Sequence, residues 1–389
     1  MKVVYLSNFF NHHQKPLSDC LHQLTNGNYW FVETCKLPDS KKKLGYQEYS
    51  EPYIIRYNDK TKKIIEKLIW EADAVQFGEA PLNLIKKRIE AGKLVLRDDE
   101  CRYRNVTRFL KWPVYTYNSL TLNKGYLLCA SAFAPIDYAL SGMRVDKCFK
   151  WGYFPEIRVY DDIEDIISKK EYYNVGGRQT VSILWVGRLV ALKHPEAAII
   201  VAEKLRNKGY SFKLNIIGIG PKENKIRRLI LKKKLEKEIQ LLGSMSPDDV
   251  RTYMEKADIF LFTSDRNEGW GAVLNESMNS ACAVVAGSNI GSVPYLIKNG
   301  INGLVFKDRN WEDLFSKVEW LLLHPKERRD IGKQAYLTMR NVWNAENAAR
   351  NLMALYEALL NKKEPQITEG PCSKAPLQMR RWRGIFRTL

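Results

Sequence analysis

Short runs of consecutive apolar residues alternate with amphipathic stretches along almost the whole 389-residue chain. Residues 3–7, 30–33, 53–57, 74–77, 94–97, 126–131 and 148–154 are apolar on successive or nearly successive positions, as strands buried on both faces are. Between them, 60–72 and 82–91 show helical periodicity, and Gly92 fits a helix stop. This βαβ rhythm predicts a doubly wound parallel sheet. Residues 160–179 are polar and charged, end in Gly176-Gly177, and read as a connection between domains. A second series begins at Thr180, with strands expected at 181–186, 213–217, 239–242, 259–262, 283–286 and 303–306. Helices are expected at 194–208, 222–234, 247–256 and 270–281, then at 311–323, 326–340 and 345–360. The fold class this predicts is α/β, two doubly wound domains facing a central cleft lined by the carboxyl ends of both sets of strands. The expected division is 1–160, 161–344, a terminal helix at 345–363 and a basic tail at 364–389.

Charge changes the picture more than composition does. The formal net charge is +18, with basic clusters at 41–43, 60–67, 222–237 and 380–387. Such a chain favours anionic partners. Neither zinc-finger spacing nor an aromatic RNA-binding sequence is present, so nucleic acid is not expected, whereas diphosphate-bearing substrates and an anionic membrane surface are. The first residues form a short strand rather than a signal peptide, and no apolar run is long enough to span a bilayer. The seven cysteines are scattered without metal-ligand spacing, which fits reduced thiols in a cytoplasmic protein. Basic residues interleave with Trp382, Ile385 and Phe386 in the tail. That pattern fits a peripheral segment on the inner face of a membrane, and equally a solvated tail.

The candidate chemistry lies mostly in the second series. Glu268-Gly269-Trp270-Gly271-Ala272-Val273-Leu274-Asn275-Glu276 follows the strand 259–262. Glu268 belongs to a loop at a strand's carboxyl end, and Glu276 is expected about two turns into the next helix, facing back toward that loop. Gly269 and Gly271 let a ligand approach the backbone. After the strand 181–186 come Gly187, Arg188 and, five residues on, Lys193. A rigid guanidinium fork and a compact ammonium can together hold a diphosphate. Gly218 and Gly220 end the next strand, where a tight turn and nucleotide binding are equally good readings, and Ser244 and Met245 follow the one after that.

The Glu268–Glu276 stretch, taken with Arg188 and Lys193, resembles the Glu-x7-Glu pattern of the retaining glycosyltransferases of family 4, which have the GT-B fold of two Rossmann-like domains. The resemblance implies that Glu268 holds hydroxyls of the donor sugar, Glu276 the ribose, and Arg188 and Lys193 the diphosphate. It puts Gly187, Gly218, Gly220, Gly269, Trp270 and Gly271 around the donor, with Ser244 and Met245 beside the base. It makes 1–160 the acceptor side, 161–344 the nucleotide-sugar side and the terminal helix a segment crossing back to the first domain. The implied reaction moves a sugar from a UDP- or GDP-sugar to an acceptor hydroxyl. The basic charge without a membrane span points to a lipid-linked or other glycan acceptor. The lack of an Asp-x-Asp metal pattern in the second series fits transfer with no cofactor and no metal ion, Arg188 and Lys193 replacing the cation. One departure is Tyr295, where the family usually carries glutamate after the proline.

On the acceptor side the sequence offers His12 and His13 after the first strand and Asp98-Asp99-Glu100-Cys101-Arg102 after 94–97. His12, His13, Glu100 and Arg102 are the candidates to meet an acceptor or a leaving phosphate. The plain alternatives are a helix cap with an exposed histidine pair, and a salt-bridged surface loop that suits Asp98 better. Adjacent histidines lack the spacing of a zinc site. Two other classes fit the architecture: a sugar-nucleotide epimerase, and a non-catalytic partner subunit that binds the sugar nucleotide.

Overall fold

The computed structural model describes residues 1–42, 46–103, 110–171, 174–175 and 178–379. They divide into two units, Met1–Glu156 with Val342–Leu389, and Ile157–Asn341.

In the first unit the apolar runs become β1 (Val3–Ser7), β2 (Tyr29–Glu33), β3 (Ile54–Arg56), β4 (Ala74–Phe77), β5 (Val95–Asp99), β6 (Tyr126–Cys129) and β7 (Cys148–Lys150). They pair in parallel in the order β3-β2-β1-β4-β5-β6-β7. Val4, Leu6, Val75, Phe77 and Val95 pack against Ile65, Ile69, Ile85 and Ile89 of the flanking helices. The helix Ala345–Leu360 belongs to this unit and packs on the helix Lys15–Leu24. Its start is set by Asn344, whose side chain accepts from the Asn347 N–H at 2.8 Å.

Part of the expected basic tail is folded. The Cys372 N–H donates to Lys150 O, the Lys150 N–H to Ser373 O, and the Ala375 N–H to Cys148 O, so this stretch covers the free side of β7. The arginines at 380–387 lie outside the described residues.

The second unit holds a short antiparallel pair, β8 (Asn174–Val175) and β9 (Arg178–Gln179), and a six-stranded sheet. The sheet strands are β10 (Val181–Val186), β11 (Phe212–Ile217), β12 (Ile239–Gly243), β13 (Ile259–Phe262), β14 (Ala283–Gly287) and β15 (Leu304–Phe306). They pair in parallel in the order β12-β11-β10-β13-β14-β15. Residues 160–171, expected as connection, are instead part of this unit. Ile163, Ile166 and Ile167 recur at helical spacing on the helix Ile163–Glu171. Ile166 packs with Ala281 and Tyr336, and Lys170 Nζ donates to Met254 O and Ala257 O.

Each sheet changes winding direction at one point, between β1 and β4 and between β10 and β13. Ligands of open α/β sheets bind outside the strand ends at such a switch point. Among the described residues no helix is long and apolar enough to cross a membrane.

Candidate active site

The loops after β10 and β13 flank the switch point of the second sheet, and Lys193 and Glu268 come from those two loops. Lys193 Nζ forms an ion pair with Glu268 Oε2, and Ser264 Oγ donates to the same oxygen at 3.0 Å. Both side chains are largely buried. The loops are tied by backbone as well. The Asp265 N–H donates to Leu192 O at 2.9 Å, and Thr263 Oγ1 donates to Lys193 O at 2.7 Å while accepting from Trp185 Nε1 at 2.9 Å. Arg188 is exposed, and its guanidinium makes no hydrogen bond or ion pair with the described residues.

The helix after Glu268 starts three residues later than expected, at Val273, because Gly271 takes a left-handed φ of +79°. A Cβ on Gly271 would lie 2.4 Å from Phe262 Cζ, so glycine is required there. Glu276 therefore sits in the first helical turn rather than two turns in. Its half-buried carboxyl accepts no hydrogen bond from the described residues. Burial pushes its pKa up to about 7, against a smaller lowering from the Arg251 guanidinium. Trp270 is turned into the interior, where Nε1 donates to Asn275 Oδ1 at 2.9 Å, so its indole holds the loop rather than facing outward.

Gly218 and Gly220 serve the neighbouring loop. A Cβ on Gly218 would meet Gly187 O at 2.0 Å, and one on Gly220 would meet Leu189 O at 2.7 Å. The Leu189 N–H donates to Ile219 O and the Lys222 N–H to Leu189 O, so these glycines let the β11 turn brace the Arg188 loop. Ser244 is exposed and Met245 half-buried beyond β12.

His194 and Asp265 were not singled out by the sequence. His194 follows Lys193 with a φ of +47°. Its Nδ1 lies 3.0 Å from Glu196 Oε1 and its Nε2 3.1 Å from Asp265 Oδ2, while Lys222 Nζ pairs with Glu196. Burial lowers the imidazole pKa, but the hydrogen bonds to Asp265 and Glu196 overcome it and raise the pKa to about 9. The only advance signal was the spacing His-x-Glu after the lysine.

In the first unit His12 and His13 lie on the turn after β1, with ring centroids 4.0 Å apart. They are half-buried rather than exposed, and burial lowers the His12 pKa. The His13 ring stacks on Tyr153, whose hydroxyl donates to Glu100 Oε1 at 2.6 Å. Arg102 is directed elsewhere: its guanidinium lies over the Tyr138 ring at 3.6 Å and donates to Tyr115 O. Asp98 and Asp99 end strand β5 instead of forming a surface loop. Asp98 accepts from Tyr5 Oη, Gln76 Nε2 and Trp151 Nε1, and burial pushes its pKa up to about 6.

Residues 176–338 match the family described as glycosyl transferases group 1. An uncharacterized glycosyltransferase of Methanocaldococcus jannaschii is 30% identical over 220 residues, covering 56% of each chain. A putative colanic acid biosynthesis glycosyltransferase of Escherichia coli, WcaL, is 27% identical over 46% of this chain and 45% of its own. The chain thus spans about half the length of the curated relatives it matches. The crystal structure of Anabaena HepE in complex with UDP superposes with a TM-score of 0.68 at 13% identity, over 93% of this chain and 100% of that one. The fold is GT-B, and residues 176–338 of its second unit are the part similar to that family.

Proposed function

We propose that this protein is a retaining glycosyltransferase that moves a sugar from a nucleoside diphosphate sugar to an acceptor hydroxyl. The observation that carries the reading is the Lys193–Glu268 pair at the switch point of the second sheet, flanked by an uncommitted arginine and a half-buried carboxyl. In this reading Arg188 and Lys193 stabilise negative charge as the diphosphate leaves, in place of a divalent cation. Glu268 orients the sugar hydroxyls and stabilises positive charge at the anomeric centre. Glu276 meets the ribose, and Ser244 and Met245 meet the base. UDP in the similar Anabaena structure supports a UDP-sugar as the first donor to try, with a GDP-sugar next. The name of the Escherichia coli relative supports polysaccharide assembly. A lipid-linked saccharide at the inner membrane face is the acceptor that the basic charge favours, and the His12, His13 and Glu100 cluster is where the acceptor would be met. The test is a panel of UDP-, GDP- and ADP-sugars, following nucleoside diphosphate release and the anomeric configuration of any product. Release from one donor with configuration kept supports the reading. Rearranged sugar without acceptor means an epimerase, and binding without turnover under any acceptor means a non-catalytic subunit.

A further inference from the structure

The helix Trp112–Leu122 in the first unit contains no charged residue, in a chain that carries a net charge of +18. Its amino-terminal half is exposed together with the residue pair before it. Leu110 is 83% exposed, Val114 59% and Tyr117 63%, and Trp112 is half exposed beside them. Trp112 Nε1 donates to Leu140 O at 3.0 Å, and Leu140 is itself exposed, so the apolar surface continues onto the next helix. Single exposed apolar residues are ordinary, but four large ones within residues 110–117 and a fifth on the helix that Trp112 touches are not.

Cations stand at both ends of this helix, exposed Lys111 before it and exposed Lys124 after it. Asn123 fastens the loop that carries Arg144 and Lys147: its Nδ2 donates to Gly142 O at 2.6 Å and its Oδ1 accepts from the Arg144 N–H at 3.0 Å. Lys374 Nζ donates to Asp146 O at 2.9 Å, which brings the end of the chain to the same loop. Asp146 and Glu364 offset only part of this charge, through Arg144 and Lys374. Beyond Met379 the sequence continues with Arg380, Arg381, Trp382, Arg383, Ile385, Phe386 and Arg387.

We infer that this face docks on an anionic lipid bilayer. Leu110, Val114 and Leu140 enter the acyl boundary, Trp112 and Tyr117 sit at headgroup level, and the lysines and arginines meet lipid phosphates. Exposed apolar side chains with Lys111 among them and further cations at the far end of the helix match the layering of such an interface, in which apolar groups and cations meet hydrocarbon and lipid phosphate together. This deepens the membrane-linked acceptor reading. Its test measures binding without turnover, so either can fail while the other stands.

The experiment is co-sedimentation of the full chain with phosphatidylcholine vesicles, with and without phosphatidylglycerol. Wild type is expected to bind the phosphatidylglycerol vesicles and to lose binding as salt rises. Leu110→Asp with Val114→Asp should weaken that binding by about tenfold or more while leaving the thermal melt and donor hydrolysis unchanged. If that variant fails to fold, Lys111→Glu with Lys124→Glu decides, and it should abolish the preference for anionic vesicles. A chain ending at Met379 should keep binding in part. The inference is overturned if wild type binds neither vesicle, if the folded variants bind like wild type, or if only removal of 380–389 matters. It is also overturned if the Asp variant changes the oligomeric state of a protein that ignores vesicles, which would make the face a protein interface.

Discussion

Burial pushes the pKa of the Glu276 carboxyl up to about 7, from an ordinary 4.5. A carboxylate holds a ribose diol better than a carboxylic acid does, because it accepts from both hydroxyls. Affinity for a UDP-sugar, whose diphosphate does not ionise in this range, should therefore rise as pH passes upward through about 7. Calorimetric titration should show that slope in wild type and a flat profile in Glu276→Gln. His194 makes a second pH prediction, of stability rather than binding. Its folded pKa stands at about 9, above the ordinary 6.5. Its contribution is therefore fully present below pH 6.5 and is lost as pH rises through 9. Asn tolerates the left-handed backbone, so His194→Asn removes the charge without straining the turn. In urea melts wild type should lose at most about 3 kcal/mol more than this variant between about pH 6 and about pH 10. Equal losses would mean that the Asp265 and Glu196 contacts do not hold the imidazolium.

At the scale of elements, loops rather than strands set the site, and glycines set the loops. Gly218→Ala would drive a Cβ to within 2.0 Å of Gly187 O, where only backbone displacement relieves the clash. It should destabilise the second unit by about 3 kcal/mol or more, visible as an early transition in a thermal melt. Strands and helices were largely legible in the sequence. Apolar runs, broken only by Ser182, marked Val181–Val186 and Ile259–Phe262 to the residue. The helices Pro247–Lys256 and Trp311–Leu323 begin where expected, and in the structure the Ser246 and Asn310 side chains cap them. What escaped has physical reasons. Asp98 and Asp99 continue β5 because Tyr5, Gln76 and Trp151 satisfy Asp98, and Tyr138 satisfies Asp99, from distant positions, which no local pattern reveals. The helix Ile163–Glu171 was hidden by its charges, with only three isoleucines on its buried face. Lys193 and Glu268 were legible as residue types at strand ends. Their ion pair and the His194–Asp265 contact are tertiary and were not.

At the scale of the whole molecule, the chain leaves its first unit at Glu156 and returns to it at Val342. The first unit is thus incomplete without the last 48 residues, in which the Ala345–Leu360 helix packs on Lys15–Leu24 and the Cys372–Ala375 stretch covers β7. A chain ending at Asn341 should expose Leu17 and Leu21 and lose the cooperative melt of the first unit, whereas a chain ending at Met379 should keep it. Limited proteolysis separates the two: rapid cleavage within 1–156 is expected only for the shorter chain, and equal resistance would contradict the division.

The central claim is that the Lys193–Glu268 pair belongs to a sugar-transfer site. The most direct measurement is the rate of nucleoside diphosphate release from the preferred donor, in wild type and in Glu268→Gln, with circular dichroism confirming that both are folded. Loss of one such charged contact in a transition state costs about 10²-fold or more. A fall of that size, with donor affinity changed far less, is the predicted result. Equal rates in two folded proteins would contradict the account.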